Sequence, residues 1–290
     1  MTTCDHPTVN AAAMSYERAD GAARIAFRTG PGGRTVLGDL YQRAPCRVLF
    51  PDGESGDLPQ AVLLTTSGGL TGGDRTHVVA EVRSGARATF TTQAAEKLYR
   101  AQAGDSDTRI HVDMRVEAGA WAEWLAQETI LFDGARMRRS LHADVAPSGA
   151  LLAVETTVFG RTAMGETFDV GLLHDSWRIR RGDRLIWADT LRMEGDITKT
   201  RAARFGFGTA VACSTLVYVG TDAAQLLGTA RELLSQSVLP AAATSFDGLL
   251  LVRLLCDDAV KARSAVMTLV GGLRSAAVGL PARVPRVWHC

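Results

Sequence analysis

Lysine is scarce in this chain. Lys97, Lys199 and Lys261 are the only three among 32 basic residues, so positive charge is carried almost wholly by arginine. The 31 acidic residues leave a formal net charge of +1, with no basic excess for a nucleic-acid footprint. Cysteine is sparse as well. Cys4, Cys46, Cys213, Cys256 and Cys290 are scattered, odd in number and never spaced as CxxC, which argues against a disulfide framework and suits a reducing compartment. The six histidines make no HxH, HxxxH or HExxH pattern, so a permanent zinc-like cage is not indicated. No nucleophile elbow and no Ser-His-Asp order is present. Apolar runs such as residues 249–255, interrupted by Arg253, are too short to span a bilayer, and the opening residues lack the apolar core of a secretory leader. These absences predict a cytoplasmic protein that engages neither nucleic acid nor membrane.

What is present is a β pattern with an internal repeat. Residues 1–20 are polar and alanine-rich without a period and read as a flexible arm. Residues 21–290 read as one domain: a β body over 21–210, a β-α-β-β-α portion over 211–280 and an extended tail over 281–290. Within the body, Gly85-Ala86, Gly119-Ala120 and Gly149-Ala150 each separate two strand-like runs, at intervals of 34 and 30 residues. Ile110, Val112, Met114 and Val116 alternate with His111, Asp113 and Arg115, a period of two. Units this short cannot bury both faces alone, so they should stack. The predicted fold is mainly β, a stacked or superhelical layered sheet body with two α-helices near the C-terminus. A flat two-layer sandwich is the alternative. The helices are expected over about 221–237, capped by Thr221-Asp222, and about 257–271, opened by Asp257-Asp258, both packing on one edge of the body. Asp247-Gly248 marks a hairpin between them.

The stretch from Ser67 to Asp74 is glycine-rich but lacks the Lys-Ser/Thr end of a phosphate loop, and reads as a tight turn with Asp74 bonding local amides. Glu96, Glu128 and Glu166 each fall some way after a Gly-Ala turn, so stacking would align them on one side. Carboxylate oxygens in such a row can hold a divalent cation loosely. The competing reading pairs Glu96 with Lys97 or Arg100, and Glu128 with an arginine such as Arg136, as structural ion pairs. The basic run Arg136-Met137-Arg138-Arg139 suggests a sheet edge protected by charge. His111 and His142 alternate with apolar neighbours and should face solvent. Cys4 with His6, and His289 with Cys290, are metal-capable pairs at the two ends, with no second feature to support a shared site. A β-helical carbohydrate-active enzyme using the carboxylate row is the functional alternative, and a β scaffold that binds a protein partner without metal is a third.

Five stretches, in order and spacing, resemble the UreD (or UreH) family of urease accessory proteins. They are residues 68–74 (GGLTGGD), 91–100 (TTQAAEKLYR), 127–132 (QETILF), 159–166 (FGRTAMGE) and 285–288 (PRVW). Ser67 and Ala126 stand where the family often has proline, which alters only local turns. The resemblance implies a non-enzymatic, mostly β protein with two helices, acting in nickel insertion into apo-urease. Its implied partners are UreF-type and UreG-type accessory proteins and apo-urease. It further implies no permanently bound cofactor but nickel in transient passage along an internal polar route. On this reading Asp74, Glu96, Glu128 and Glu166 would line the route, with Lys97, Tyr99, Arg100 and Arg161 ordering it.

Overall fold

A computed structural model describes residues 17–289. Most of the expected arm, and the Cys4, His6 and Cys290 members of the terminal pairs, lie outside the described residues. A first hairpin pairs β1 (Asp20–Thr29) with β2 (Thr35–Arg43), followed by β3 (Cys46–Leu49) and β4 (Gln60–Thr65). The repeat then contributes β5 (Arg75–Val82), β6 (Arg87–Thr92) and the short β7 (Glu96–Leu98), then β8 (Thr108–Val116), β9 (Trp121–Leu125) and the short β10 (Thr129–Leu131). Its third copy supplies β11 (Arg136–Val145) and β12 (Ala150–Phe159). A long hairpin, β13 (Val170–Arg181) and β14 (Arg184–Asp196), leads into a short helix α1 (Ile197–Ala202) that the sequence pattern had not announced. Last come β15 (Ala212–Val219), α2 (Leu226–Ser235), β16 (Ala241–Phe246), β17 (Leu249–Cys256) and α3 (Ala259–Val278).

Each copy of the repeat sends its first strand to one sheet and its second to another. The seven-stranded sheet runs β14-β13-β11-β8-β5-β1-β2, and the second runs β16-β17-β15-β12-β9-β6-β4-β3 with β7 and β10 alongside β12. Strands of successive copies pair in parallel and in register, such as Val78 with Val112 and Val112 with Leu141. The Gly-Ala turns stack with them. Trp121 N–H donates to the Ala86 carbonyl at 3.0 Å, and Ala150 N–H to the Ala120 carbonyl at 2.9 Å. Gly85 and Gly119 hold φ of +69° and +66°, the left-handed region that side chains disfavour. Gly149 is needed for another reason: a Cβ there would lie 2.8 Å from the Glu117 carbonyl oxygen.

Alternating residues fill the space between the sheets, with Ile25, Ala80, Met114, Leu141, Phe90, Ala122 and Ala153 all buried. The other face of the second sheet is covered by α2 and α3, whose Leu226, Ala230, Val266, Leu269 and Leu273 pack on Leu152, Val154, Leu250 and Val252. The helices therefore sit on a sheet face, not on an edge. Strands β15 and β17 widen that sheet beyond β12, and the resulting apolar face needs a cover. β12, buried on both sides, reads accordingly as a nearly continuous buried run. Asp258 caps α3 by accepting from Val260 and Lys261 N–H, as its sequence position suggested. The helix continues past Gly271 to Val278, where Gly279 caps it in the left-handed region, and Gly271 inside it is a point of close contact. A Cβ there would lie 2.9 Å from the Ala282 backbone. Helix α2 begins later than Thr221. The Asp222 carbonyl accepts from Gln225 and Leu226 N–H in a preceding turn, while its carboxylate takes the Tyr218 hydroxyl at 2.5 Å. No helix among the described residues is long and apolar enough to cross a membrane.

Candidate functional site

A cavity of about 250 Å³ opens between the sheets beside β7 and β10. Thr76, Val78, Ile110, Val112 and Arg139 line it from the seven-stranded sheet; Cys46, Leu63, Thr65, Thr92, Trp124, Thr129 and Glu155 from the other. Glu96 and Lys97 complete the wall where the family-like stretch 91–100 enters it. The Thr65 hydroxyl donates to both Glu96 oxygens, at 3.1 and 3.3 Å. Burial pushes the Glu96 carboxyl up to about 7, against the opposing hydroxyl bond, so it exchanges a proton near neutrality. Burial likewise pushes the Cys46 thiol up to about 11, which keeps it a weak ligand.

The cavity floor carries a charge network that sequence reasoning missed. Arg139 donates to the Asp175 carboxylate at 3.0 and 2.6 Å, to the Thr129 hydroxyl at 2.9 Å and to the Thr157 hydroxyl at 3.2 Å, and is ion-paired with Glu155. Burial lowers its pKa, yet the Asp175 and Glu155 charges outweigh burial and hold it above its ordinary value. Trp124 Nε1–H donates to Glu155 at 2.9 Å. The basic run 136–139 is therefore not a sheet edge. β11 is a central strand; Arg136 and Arg138 point outward to share Asp107 at 2.7 and 2.6 Å, while Arg139 points inward. The signal available was parity: Arg139 shares it with the apolar Met137 and Leu141.

The structure distributes the other predicted residues over three locations. Glu96 and Glu128 are adjacent through the backbone, Glu96 N–H donating to the Glu128 carbonyl at 2.8 Å. The pairing register, however, sets Glu96 opposite Thr129, which is itself opposite Thr157, one residue out of step with Glu128. A one-residue offset reverses the face. Glu128 accordingly turns away from the cavity to Arg263 of α3 at 2.6 Å, not to Arg136. Arg263 also donates to Gln127 at 2.8 Å and to the Trp288 carbonyl, and its guanidinium lies 5.1 Å from the Trp288 ring centre. Asp74 is buried and accepts from Ala19 and Thr71 N–H, each at 2.8 Å, the local amide role expected of the glycine-rich turn.

Glu166 forms the third location with residues expected to order the row. It pairs with Arg161 and accepts from Asp133 N–H at 3.3 Å; Asp133 in turn takes Arg100 at 2.5 Å. Arg161 lies 4.3 Å from the Phe132 ring centre, and Tyr99 packs edge-on against Phe132 at 4.9 Å. The Tyr99 hydroxyl donates to the Gly68 carbonyl at 3.1 Å. Lys97, Tyr99 and Arg100 thus follow one another from the cavity to this outer cluster, and Asp133 is the linking residue that pattern reading overlooked. Of Glu96, Glu128 and Glu166, only Glu96 lines the cavity, so the carboxylate row on which a glycosidase-like mechanism would rest does not assemble.

The family described as "UreD urease accessory protein" matches residues 19–289. The chain is similar to urease accessory protein UreD of Rhizobium leguminosarum bv. viciae, with 39% identity over 282 residues, covering 97% of this chain and 99% of that one. It is 40% identical over 278 residues to the UreD of Methylobacterium sp. (strain 4-46), covering 94% and 95% of the two chains. To UreD 1 of Methylobacterium radiotolerans it is 42% identical over 284 residues, covering 96% and 94%.

Proposed function

The chain belongs to the UreD family of urease accessory proteins, and from that premise we propose that it serves nickel insertion into apo-urease as a non-catalytic scaffold and metal passage. It would work in the cytoplasm between a UreF-type and UreG-type assembly and the apo-enzyme, with nickel as cargo and no resident cofactor. The observation that carries the reading is the cavity between the sheets with Glu96 in its wall. An ion in transit needs hard-oxygen ligands that bind weakly, because a thiolate or imidazole cage would retain it. Here Glu96 and the Thr65, Thr92 and Thr129 hydroxyls offer oxygen, and the thiol in the cavity lining, Cys46, stays protonated at neutral pH. Glu96, titrating near 7, would take up the ion as it releases a proton and let it go on reprotonation.

Asp74, Glu128 and Glu166 enter this proposal differently from Glu96. Each is tied to an amide or an arginine, so a passing ion would have to compete with that partner. The Arg161–Glu166–Asp133–Arg100 cluster would form the outer mouth. The experiment is urease activation in a reconstituted system containing the other accessory proteins and limiting nickel, with complex formation measured in parallel. Glu96→Gln and Glu96→Leu should slow activation with complexes intact, the leucine more severely because it also closes the space. Glu166→Ala and Glu166→Leu test the mouth in the same assay. Unchanged activation by both Glu96 variants would refute the passage. Loss of activation together with loss of complex formation would replace it with a docking role.

A further inference from the structure

The outward face of the seven-stranded sheet carries a second group of possible ligands, separate from the cavity. In parallel strands, in-register residues of one face stand about 4.8 Å apart. His77 of β5 is opposite His111 of β8, and Asp113 of β8 is opposite His142 of β11. His111 and Asp113, two residues apart on one strand, share that face. The Asp113 carboxylate lies between the rings, one oxygen 2.8 Å from His77 Nε2 and the other 3.1 Å from His111 Nε2. His142 Nδ1 is 3.7 Å from the same carboxylate, and its ring centre is 4.9 Å from that of His111. The ligand atoms of His77, His111 and Asp113 all fall within 4.8 Å of one another.

We propose that His77, His111 and Asp113, with His142 as an available fourth ligand, bind one divalent late-transition-metal ion on this face. Metal–nitrogen bonds of about 2.0–2.1 Å put neighbouring ligand atoms of a tetrahedral ion roughly 3.3 Å apart. The 2.8 and 3.1 Å spacings, one to each Asp113 oxygen, lie near that value, and all the ligand atoms are within 4.8 Å of one another, so side-chain rotation about a bound ion has to bring the set together. Imidazole with a single carboxylate suits zinc or nickel and not magnesium or calcium, which take oxygen sets. His111 is also oriented as a ligand would be: its Nδ1 lies 2.5 Å from the Ser140 hydroxyl, leaving Nε2 directed at the shared space. Thr76, Val78, Ile110 and Val112, the intervening residues of the same strands, face the cavity instead. The sheet backbone therefore separates this site from the proposed passage, and either can hold without the other.

The test is calorimetric titration of the untagged full chain with nickel chloride and, separately, zinc chloride. At least one of the two ions should bind with one equivalent assigned to this site. That equivalent should disappear in His77→Ala/His111→Ala, weaken about tenfold or more in Ser140→Ala, and persist in Glu96→Gln. It should also persist in Cys4→Ala/His289→Ala, which removes a member of each terminal pair. Equal stoichiometry and affinity in the double-histidine variant, or no binding of either ion by the wild type, would overturn the proposal. Should the double variant misfold, X-ray absorption of the metal-loaded wild type decides: two or more imidazoles per ion are expected, and fewer would refute the site.

Discussion

Arg274 and Glu123, 151 residues apart in sequence, form a two-point ion pair in which Nε and Nη2 each lie 3.0 Å from a carboxylate oxygen. Both side chains are fully buried, and Asp57 completes the group at 2.6 Å from Nη2. The pair ties α3 to the middle of the second sheet. Removing the cation would leave two carboxylates in a low-dielectric interior. Arg274→Leu should therefore cost about 3–5 kcal/mol, seen as a lower urea midpoint. Arg274→Met combined with Glu123→Leu should recover part of that loss, since Arg283 still faces Asp57 at 3.6 Å. A double variant no more stable than the single would show that the charges were not the cause.

Glu96 sets a pH dependence whose direction follows from its raised pKa. The native state holds the proton up to about pH 7, whereas the unfolded chain releases it near 4.5. Native Glu96 thus favours stability below pH 4.5, and that contribution is lost as pH rises towards 7. Glu96→Gln carries no such slope. Urea midpoints at pH 5, 6, 7 and 8 should show the variant gaining on the wild type up to about 7 and then levelling. Parallel curves would mean that the carboxyl titrates normally.

Arg263 is the clamp of the C-terminal segment. It holds Glu128, Gln127 and the Trp288 carbonyl together, and Trp288 Nε1–H reaches the buried Thr91 hydroxyl at 3.0 Å. Arg263→Ala should leave the sheets intact while exposing residues 281–289 to limited proteolysis and fast amide exchange. Its global cost should be roughly 1–3 kcal/mol, the penalty of a buried group left without its partner. Unaltered protection of the segment would assign its docking to Trp288 alone.

Gly160, near the start of the family-like stretch 159–166, has φ of +93°, and a Cβ there would lie 2.4 Å from the Glu166 carbonyl oxygen. Gly160→Ala has neither the backbone angle nor the space. Thermal melting should show a loss of at least about 1–3 kcal/mol, the usual cost of a strained backbone position. The Arg161–Glu166 pair should be displaced with it. Gly165→Ala, at φ +69° with open space, should cost less.

The sequence by itself determined most of the elements and the repeat that relates them, though not the short helix α1. Period-two alternation named the strands, the Gly-Ala spacing named the turns, and Asp258 and Asp247-Gly248 marked a helix start and a hairpin, because each is local chemistry carried by neighbouring residues. The tertiary structure decided which side each polar group faces. Glu96 and Glu128 fall at similar distances after their turns, yet a one-residue difference in pairing register sends one to the cavity and the other to α3. Arg139 looked like part of a surface run until β11 proved central, and its partners Glu155 and Asp175 come from two different strands. The His77–His111–Asp113 group likewise has no spacing signature. Its members are 34 and 2 residues apart, and only parallel pairing of β5 with β8 sets them side by side. Register and long-range pairing are properties of the whole sheet, whose energy depends on every paired residue at once, so no short stretch of chain encodes them.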